Sequence, residues 1–217
     1  MKTTFFCCIL FHISLFCHAQ DSFSNKLSVS ISPVLVNVPP VDIGMQFGLQ
    51  YRTAKWGFGT EIAFPFQKSN DHYVNMKYLR WGAEFKYFPR ADKQNYMSLQ
   101  FNYAQRNFAD TSPGRFFRRY VTDAYNYEST SISSNIVTSA FKIGREMKIG
   151  KKFFIDGFTG LGIGFVMTEY TNIKGLQPAD RGGIFEGLGI YSAHRYDKTI
   201  TRVHCTLGTR LHYTLSK

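Results

Sequence analysis

Lys151–Thr168, KKFFIDGFTGLGIGFVMT, is the stretch that decides the fold. Taken in twos, Phe153, Ile155, Thr159, Leu161, Ile163, Phe165 and Met167 fall on one face, with Gly157 as a gap. Phe154, Asp156, Phe158, Gly160, Gly162 and Gly164 fall on the other. Successive side chains of a strand point to opposite faces, so this is a strand with one oily face and one nearly bare face. A bare glycine face is poor against bulk water and suits a strand curled around a crowded interior. The stretch predicts the wall of a narrow barrel, apolar outside and filled inside.

Working outward, the same alternation recurs. Lys26–Val38, with Leu27, Val29 and Ile31 in step, reads as the first strand and ends at the Pro39-Pro40 turn. In Val41–Thr53, Ile43, Met45, Phe47, Leu49 and Tyr51 oppose Gly44, Gln46, Gly48, Gln50 and Arg52. Past a minimal turn, Trp56–Phe64 sets Trp56, Phe58, Thr60, Ile62 and Phe64 against Gly57, Gly59, Glu61 and Ala63. A polar loop, Gln67–Asn75, leads to a fourth strand in which Leu79, Trp81, Ala83, Phe85 and Tyr87 oppose Arg80, Gly82, Glu84, Lys86 and Phe88. The fifth sets Met97, Leu99, Phe101 and Tyr103 against Ser98, Gln100, Asn102, Ala104 and Arg106. Ala109–Ser134 reads as a long loop and Asn135–Met147 as a sixth strand, with Val137, Phe141 and Ile143 outward and Thr138, Lys142 and Glu146 inward. The seventh strand is the quoted stretch, and Tyr170–Asp197 is a second long loop. The eighth sets Val203, Cys205, Leu207, Leu211, Tyr213 and Leu215 against Arg202, His204, Gly208, Arg210 and His212.

The chain has 217 residues, is 17% aromatic and carries a formal net charge of +11. So basic a balance suits nucleic acid or an anionic surface, and the start of the chain chooses between them. Met1-Lys2, the apolar run Phe5–Phe16 and the small residue ending Cys17-His18-Ala19 read as a secretory signal peptide over residues 1–19, leaving 20–217 as the mature domain. The run is too short to span a bilayer as a helix, and Phe16 is too bulky for a lipoprotein signal at Cys17. Cys7, Cys8 and Cys17 leave with the signal, so Cys205 stands alone and no internal disulfide is expected. Export argues against nucleic acid as a partner and matches the positive charge to the phosphates of lipopolysaccharide.

These features together predict an all-β, eight-stranded antiparallel up-and-down transmembrane β-barrel in the outer membrane, in contact with its lipids. The strand number is even, and short turns follow strands two, four and six while long loops follow three, five and seven. The connection after strand one is also short. Tyr51, Trp56, Tyr87, Tyr96, Phe153 and Tyr213 mark one rim, and Phe64, Phe66, Tyr78, Phe108 and Tyr170 the other, as interfacial girdles do. A soluble barrel of the lipocalin type would turn the apolar face inward and leave Gly160, Gly162 and Gly164 facing water.

The segment Phe153-Phe154-Ile155-Asp156-Gly157-Phe158-Thr159-Gly160-Leu161-Gly162 resembles the penultimate strand of small outer-membrane β-barrel proteins of Bacteroidota. The last strand, with Thr206, Gly208, Leu211 and Tyr213, resembles the carboxy-terminal signal of such barrels, although it ends in Leu215-Ser216-Lys217 where the usual form has a terminal Phe. The resemblance covers nearly all of the mature chain. It implies insertion by the barrel-assembly machinery and a role in secretion, adhesion or envelope integrity.

Glu61 and Glu84 face the interior at similar depth. Paired carboxylates can serve acid–base chemistry, but an eight-stranded barrel has room only for its own side chains. Arg80, Lys142 and Arg210 are on hand to neutralise them, so the expectation is an ionic plug, with a narrow ion path as the other reading. Arg52, Arg106, Glu146 and Arg202 also face inward. A lipid A-modifying enzyme would need converging Ser, His and acid; Ser69, His72, Ser192 and His194 sit in loops in the wrong order. His204 and His212 are too far apart along one strand to share a metal. No catalytic set, metal site or cofactor is expected. Arg115-Phe116-Phe117-Arg118-Arg119 reads either as a basic, disordered loop tip or as a contact site, its arginines pairing with phosphate and its aromatics inserting among acyl chains or docking an envelope protein partner. The expected function is non-enzymatic, with long loops contacting the cell surface or that partner. An accessory subunit of a secretion or envelope complex is the alternative.

Overall fold

A computed structural model describes residues 26–38, 44–65, 73–90, 94–118, 123–179 and 196–215. The signal peptide, the Pro39-Pro40 turn, Phe66, Arg119 and the Ser69, His72, Ser192 and His194 clusters lie outside the described residues.

Eight antiparallel strands carry the fold: β1 (Lys26–Val38), β2 (Gly44–Arg52), β3 (Trp56–Pro65), β4 (Tyr73–Tyr87), β5 (Asn95–Asp110), β8 (Ser129–Lys148), β9 (Phe153–Lys174) and β11 (Thr199–Thr214). Each pairs with the next in the chain, and β1 pairs with β11, so the sheet closes on itself and has no free edge. The remaining strands, β6 (Gly114–Phe117), β7 (Ala124–Tyr127) and β10 (Gln177–Pro178), form a separate small sheet in the order β10-β7-β6. The two long loops are therefore partly strand, and they are shorter than the sequence suggests. β8 begins at Ser129 and β9 runs on to Lys174.

The alternation read from the sequence is the one the barrel uses. Along β5 exposed and buried residues alternate strictly from Asn95 to Gln105. Outward side chains are large and apolar on every barrel strand, among them Leu49, Phe58, Trp81, Phe101, Phe141, Leu161 and Leu207. The inward glycines of β9 do what close packing requires. A Cβ on Gly162 would sit on the Ser139 carbonyl of β8, and one on Gly160 would meet the Phe141 carbonyl and the Lys142 stem. Gly157, on the outward face, has open space instead.

The barrel is not of even height. β4 pairs with β5 as far as Tyr73–Asp110, β5 with β8 as far as Asp110–Thr130, and β8 with β9 as far as Ser129–Lys174, whereas β11 meets β9 only from Met167 downward. Four strands thus rise as a wall on one side of the mouth. Near its top the β8–β9 register slips beside Asn172, which takes a positive φ of 53°, and such a bulge bends the strands that carry it.

Two of the expected rims are corrected by strand parity. Tyr96, Phe108 and Tyr170 point inward and are buried, and Tyr78 is half-buried against an inner apolar cluster. Phe64, Tyr103 and Phe165 are among the aromatics exposed toward the loop end, while Tyr51, Trp56 and Phe153 are exposed by the short turns.

Candidate functional site

The interior is built from side chains that alternation forces inward on strands far apart in sequence. Arg210 on β11 is its hub. Its Nη2 lies 2.5 Å from Glu61 on β3, and its Nη1 lies 2.9 Å from both Glu84 on β4 and Asp156 on β9. Lys142 on β8 pairs with Glu84 at 2.9 Å. Toward the short turns, Lys86 bridges Asp156 at 2.7 Å and Glu146 at 3.0 Å, and Glu146 meets Arg52 at 2.5 Å. The connected set holds four cations and four carboxylates, so it is neutral as a whole. Burying a charge is expensive unless it is paired and hydrogen-bonded; here all eight are ion-paired, and all but Lys142 are hydrogen-bonded as well.

Neutral groups complete the set. Ser98 donates to Glu84 at 2.6 Å, Gln100 to Glu61 at 3.1 Å, Gln50 to Glu146 at 2.8 Å and Tyr96 to Asp156 at 2.7 Å. Gln46 donates to Glu61. Aromatic faces back the cations: Lys142 and Arg210 lie 3.7 and 4.2 Å from the centre of Phe158, and Arg52 lies 3.6 Å from that of Phe88. Phe88, Tyr96 and Phe158 form one buried cluster at this end. The ring of Tyr96 occupies the space a side chain at Gly144 would need.

Four of the five residues expected to form the plug do come together: Glu61, Glu84, Lys142 and Arg210. Arg80 is buried and inward but makes no ion pair among the described residues. Its expected place is taken by Asp156, Lys86, Glu146 and Arg52. All four have inward parity in the sequence. The missing information was which inward residues share a height, because that depends on the stagger between strands. Arg106 and Arg202 lie nearer the mouth, over Phe108 and Tyr196 at 4.8 and 6.0 Å.

The two inward histidines are separate. His212 stacks on Phe154 with ring centres 4.3 Å apart and shares a hydrogen bond with Ser28 at 3.3 Å. His204 stands opposite Gly162, eight residues away along β11. No group of three or more His, Cys, Asp or Glu stands ready to hold a metal among the described residues. Cys205 is free and faces outward.

At the other end the small sheet lies against the inner face of the tall wall. Phe116 is fully buried among Phe108, Tyr127, Ile132 and Tyr170, stacked on Tyr170 at 4.4 Å. Phe117 is fully buried with Ala124 and Tyr196. Asp110 ties the base of the hairpin by accepting from Tyr127 at 2.8 Å and from Ser112. The Phe117 carbonyl accepts from the Asp197 amide at 2.9 Å, joining the first long connection to the last. This corrects the expectation of a disordered loop tip, or of aromatics that insert among acyl chains or dock a partner: Phe116 and Phe117 are buried within the fold and anchor a cap. Arg118 is exposed over Tyr125 at 5.0 Å, and Arg115 is half-buried, its Nε donating to Asn126 at 3.3 Å. β6 therefore buries its two aromatics, while Arg118 just past its end is exposed.

Comparison of the chain with family models, with characterised proteins and with solved structures finds no match.

Proposed function

We propose that the chain is a non-enzymatic integral outer-membrane barrel whose cap, bearing Arg115 and Arg118, contacts the cell surface or an envelope protein. The observation that carries this reading is the polarity of the two faces. A soluble monomer rarely exposes an apolar patch of more than a few hundred Å², whereas here large apolar side chains are exposed on all sides of the barrel around a charged interior. The change from apolar to polar falls within one outward residue of the same register row on neighbouring strands: Leu79 to Lys77, Tyr103 to Gln105, Val137 to Asn135 and Met167 to Glu169. A tilted membrane strand needs roughly 9–11 residues; β9, with 22, reaches well beyond that. The likeness of Phe153–Gly162 to small outer-membrane barrels of Bacteroidota points the same way, as does the signal peptide read at residues 1–19.

Against catalysis stands the mutual neutralisation of the interior carboxylates and cations, which leaves none of the eight poised for substrate. The cap favours contact over chemistry. Its aromatics are spent on fixing β6, and Arg118, just past the end of that strand, is exposed where phosphate or a carboxylate can meet it. An accessory subunit of a secretion or envelope complex would use the same surface.

Membrane fractionation with alkaline extraction tests the location. Crosslinking and pull-down from native membranes, comparing the parent with an Arg115→Ala/Arg118→Ala variant, tests the contact. The expected result is an alkali-resistant outer-membrane protein whose crosslinks, to lipopolysaccharide or to one protein, weaken in the variant. Recovery as a soluble periplasmic protein would end the membrane reading, and unchanged crosslinks would end the role of the cap.

A further inference from the structure

Resting on the membrane reading, we infer that a phospholipid seats on the outer face of the barrel at Gly157, with one acyl chain in the notch left by that glycine and its phosphate on Arg145. Three observations meet there. First, Gly157 is the gap in the oily face of β9: a Cβ built on it meets nothing within 4 Å. A cavity of about 570 Å³ opens at this point, with Ile143 and Leu207 along its apolar sides and Tyr96 and Phe158 among its other walls. That volume lies within the range of small-molecule sites, roughly 300–1,000 Å³.

Second, a polar row crosses the oily face at the same level. Asn95, Arg145, Gly157 and Thr209 are register partners on β5, β8, β9 and β11. The row above them includes Ile143 and Leu207, and the row below is Met147, Ile155 and Leu211, with Phe153 and Tyr213 lower still. Arg145 is thus an outward cation with apolar side chains both above and below it. A guanidinium cannot face acyl chains bare, and long basic side chains near the edge of a membrane reach for the headgroup layer.

Third, Arg145 is exposed and makes no ion pair among the described residues; its Nε donates only to Gln94 Oε1 at 3.3 Å. What the bilayer supplies at this depth is lipid phosphate, which a guanidinium grips with two parallel hydrogen bonds. Asn95 and Thr209 flank it with groups able to bond a headgroup. A second copy of the chain fits less well. An isologous contact centred on Gly157 would bring two Arg145 side chains together.

The test uses the full chain purified in mild detergent and native mass spectrometry. The probes are dioleoyl phosphatidylglycerol, dioleoylglycerol with the same chains and no phosphate, and inorganic phosphate with no chains. One phosphatidylglycerol should be retained per barrel, with dioleoylglycerol bound at least about tenfold more weakly and inorganic phosphate not measurably. Gly157→Leu, which fills the notch without a clash, and Arg145→Gln, which keeps the side chain and removes the charge, should each weaken phosphatidylglycerol about tenfold. Both should fold into phosphatidylcholine vesicles as the parent does. Equal retention of phosphatidylglycerol by parent and variants would overturn the site, and equal binding of dioleoylglycerol would overturn the phosphate contact. Disulfide capture of two copies through Gly157→Cys, undiminished by added phosphatidylglycerol, would assign the notch to self-association. A chain that purifies without detergent and stays out of vesicles would sink the membrane reading itself, an outcome distinct from insertion without selective lipid.

Discussion

Arg210 is the single side chain on which most of the interior depends. Its fork meets Glu61, Glu84 and Asp156, and the ring of Phe158 lies against it. A buried ion pair can contribute little beyond what a well-packed apolar pair would, yet removing one partner strands the other, at a cost of about 3–5 kcal/mol. Arg210→Met is therefore expected to destabilise the barrel by about that much, since three carboxylates lose a shared cation. Arg118→Ala, on the exposed side of the cap, should change stability by less than about 0.5 kcal/mol. Equilibrium unfolding in urea from lipid vesicles measures both. Adding Glu61→Gln to Arg210→Met should recover part of the loss by restoring the charge balance; no recovery would mean that Arg210 acts through packing alone. At this scale the sequence was half legible. Alternation assigned Glu61, Glu84, Lys142 and Arg210 to the interior, but the expected plug included Arg80, which makes no ion pair among the described residues, and left out Asp156, the third carboxylate on Arg210. Arg52 and Glu146 touch across 94 residues of chain, a distance over which no local pattern operates.

The β8–β9 pair shows how one strand carries opposite demands on its two faces. Gly162 faces β8 so closely that a methyl group would displace the Ser139 carbonyl, which is backbone and cannot swing away. Gly157, five residues earlier and of opposite parity, meets nothing. Gly162→Ala should cost about 1–3 kcal/mol, as overpacking does, whereas Gly157→Ala should be neutral or slightly stabilising. Thermal unfolding followed by circular dichroism reports the order, and a reversal would refute the face assignment of β9. Leu161, 65% exposed at mid-strand, gives the complementary test. An arginine there should cost about 2–4 kcal/mol in a bilayer and nearly nothing if that face meets water, so unfolding of Leu161→Arg in vesicles separates the two. The parity of both strands was legible because the oily face repeats every second residue. Their ends were not. From Ser129 to Asn135 and from Glu169 to Asn172 the outward residues turn polar, so the alternation in hydropathy stops while backbone pairing continues to Ser129–Lys174.

For the whole molecule, the closed topology and the two-faced wall follow from eight alternating segments and short turns, and the sequence showed both. The seating of the hairpin did not show, because Arg115–Arg118 has no apolar periodicity of its own; Phe116 acquires its partners only when β5, β8 and β9 bring Phe108, Ile132 and Tyr170 together, and Phe117 only when Ala124 and Tyr196 come to it. The result is two independent seals in series. The lower is the neutral ionic set with Phe88, Tyr96 and Phe158 beneath it. The upper is the hairpin seated on Phe116. An ion entering from either side meets a buried apolar cluster and then charges already paired to each other, and a pore conducts only where it offers a hydrated path or replaceable ligands. The reconstituted barrel is therefore expected to show no steady open-channel current in planar bilayers. Phe116→Ala should loosen the cap, raising proteolysis between Asp110 and Ser129, and should still not conduct, because the lower seal is untouched. Steady large currents from the parent protein would contradict the packed interior. Steady currents from Phe116→Ala alone would show that the ionic set is a permeable layer and that the cap is the gate.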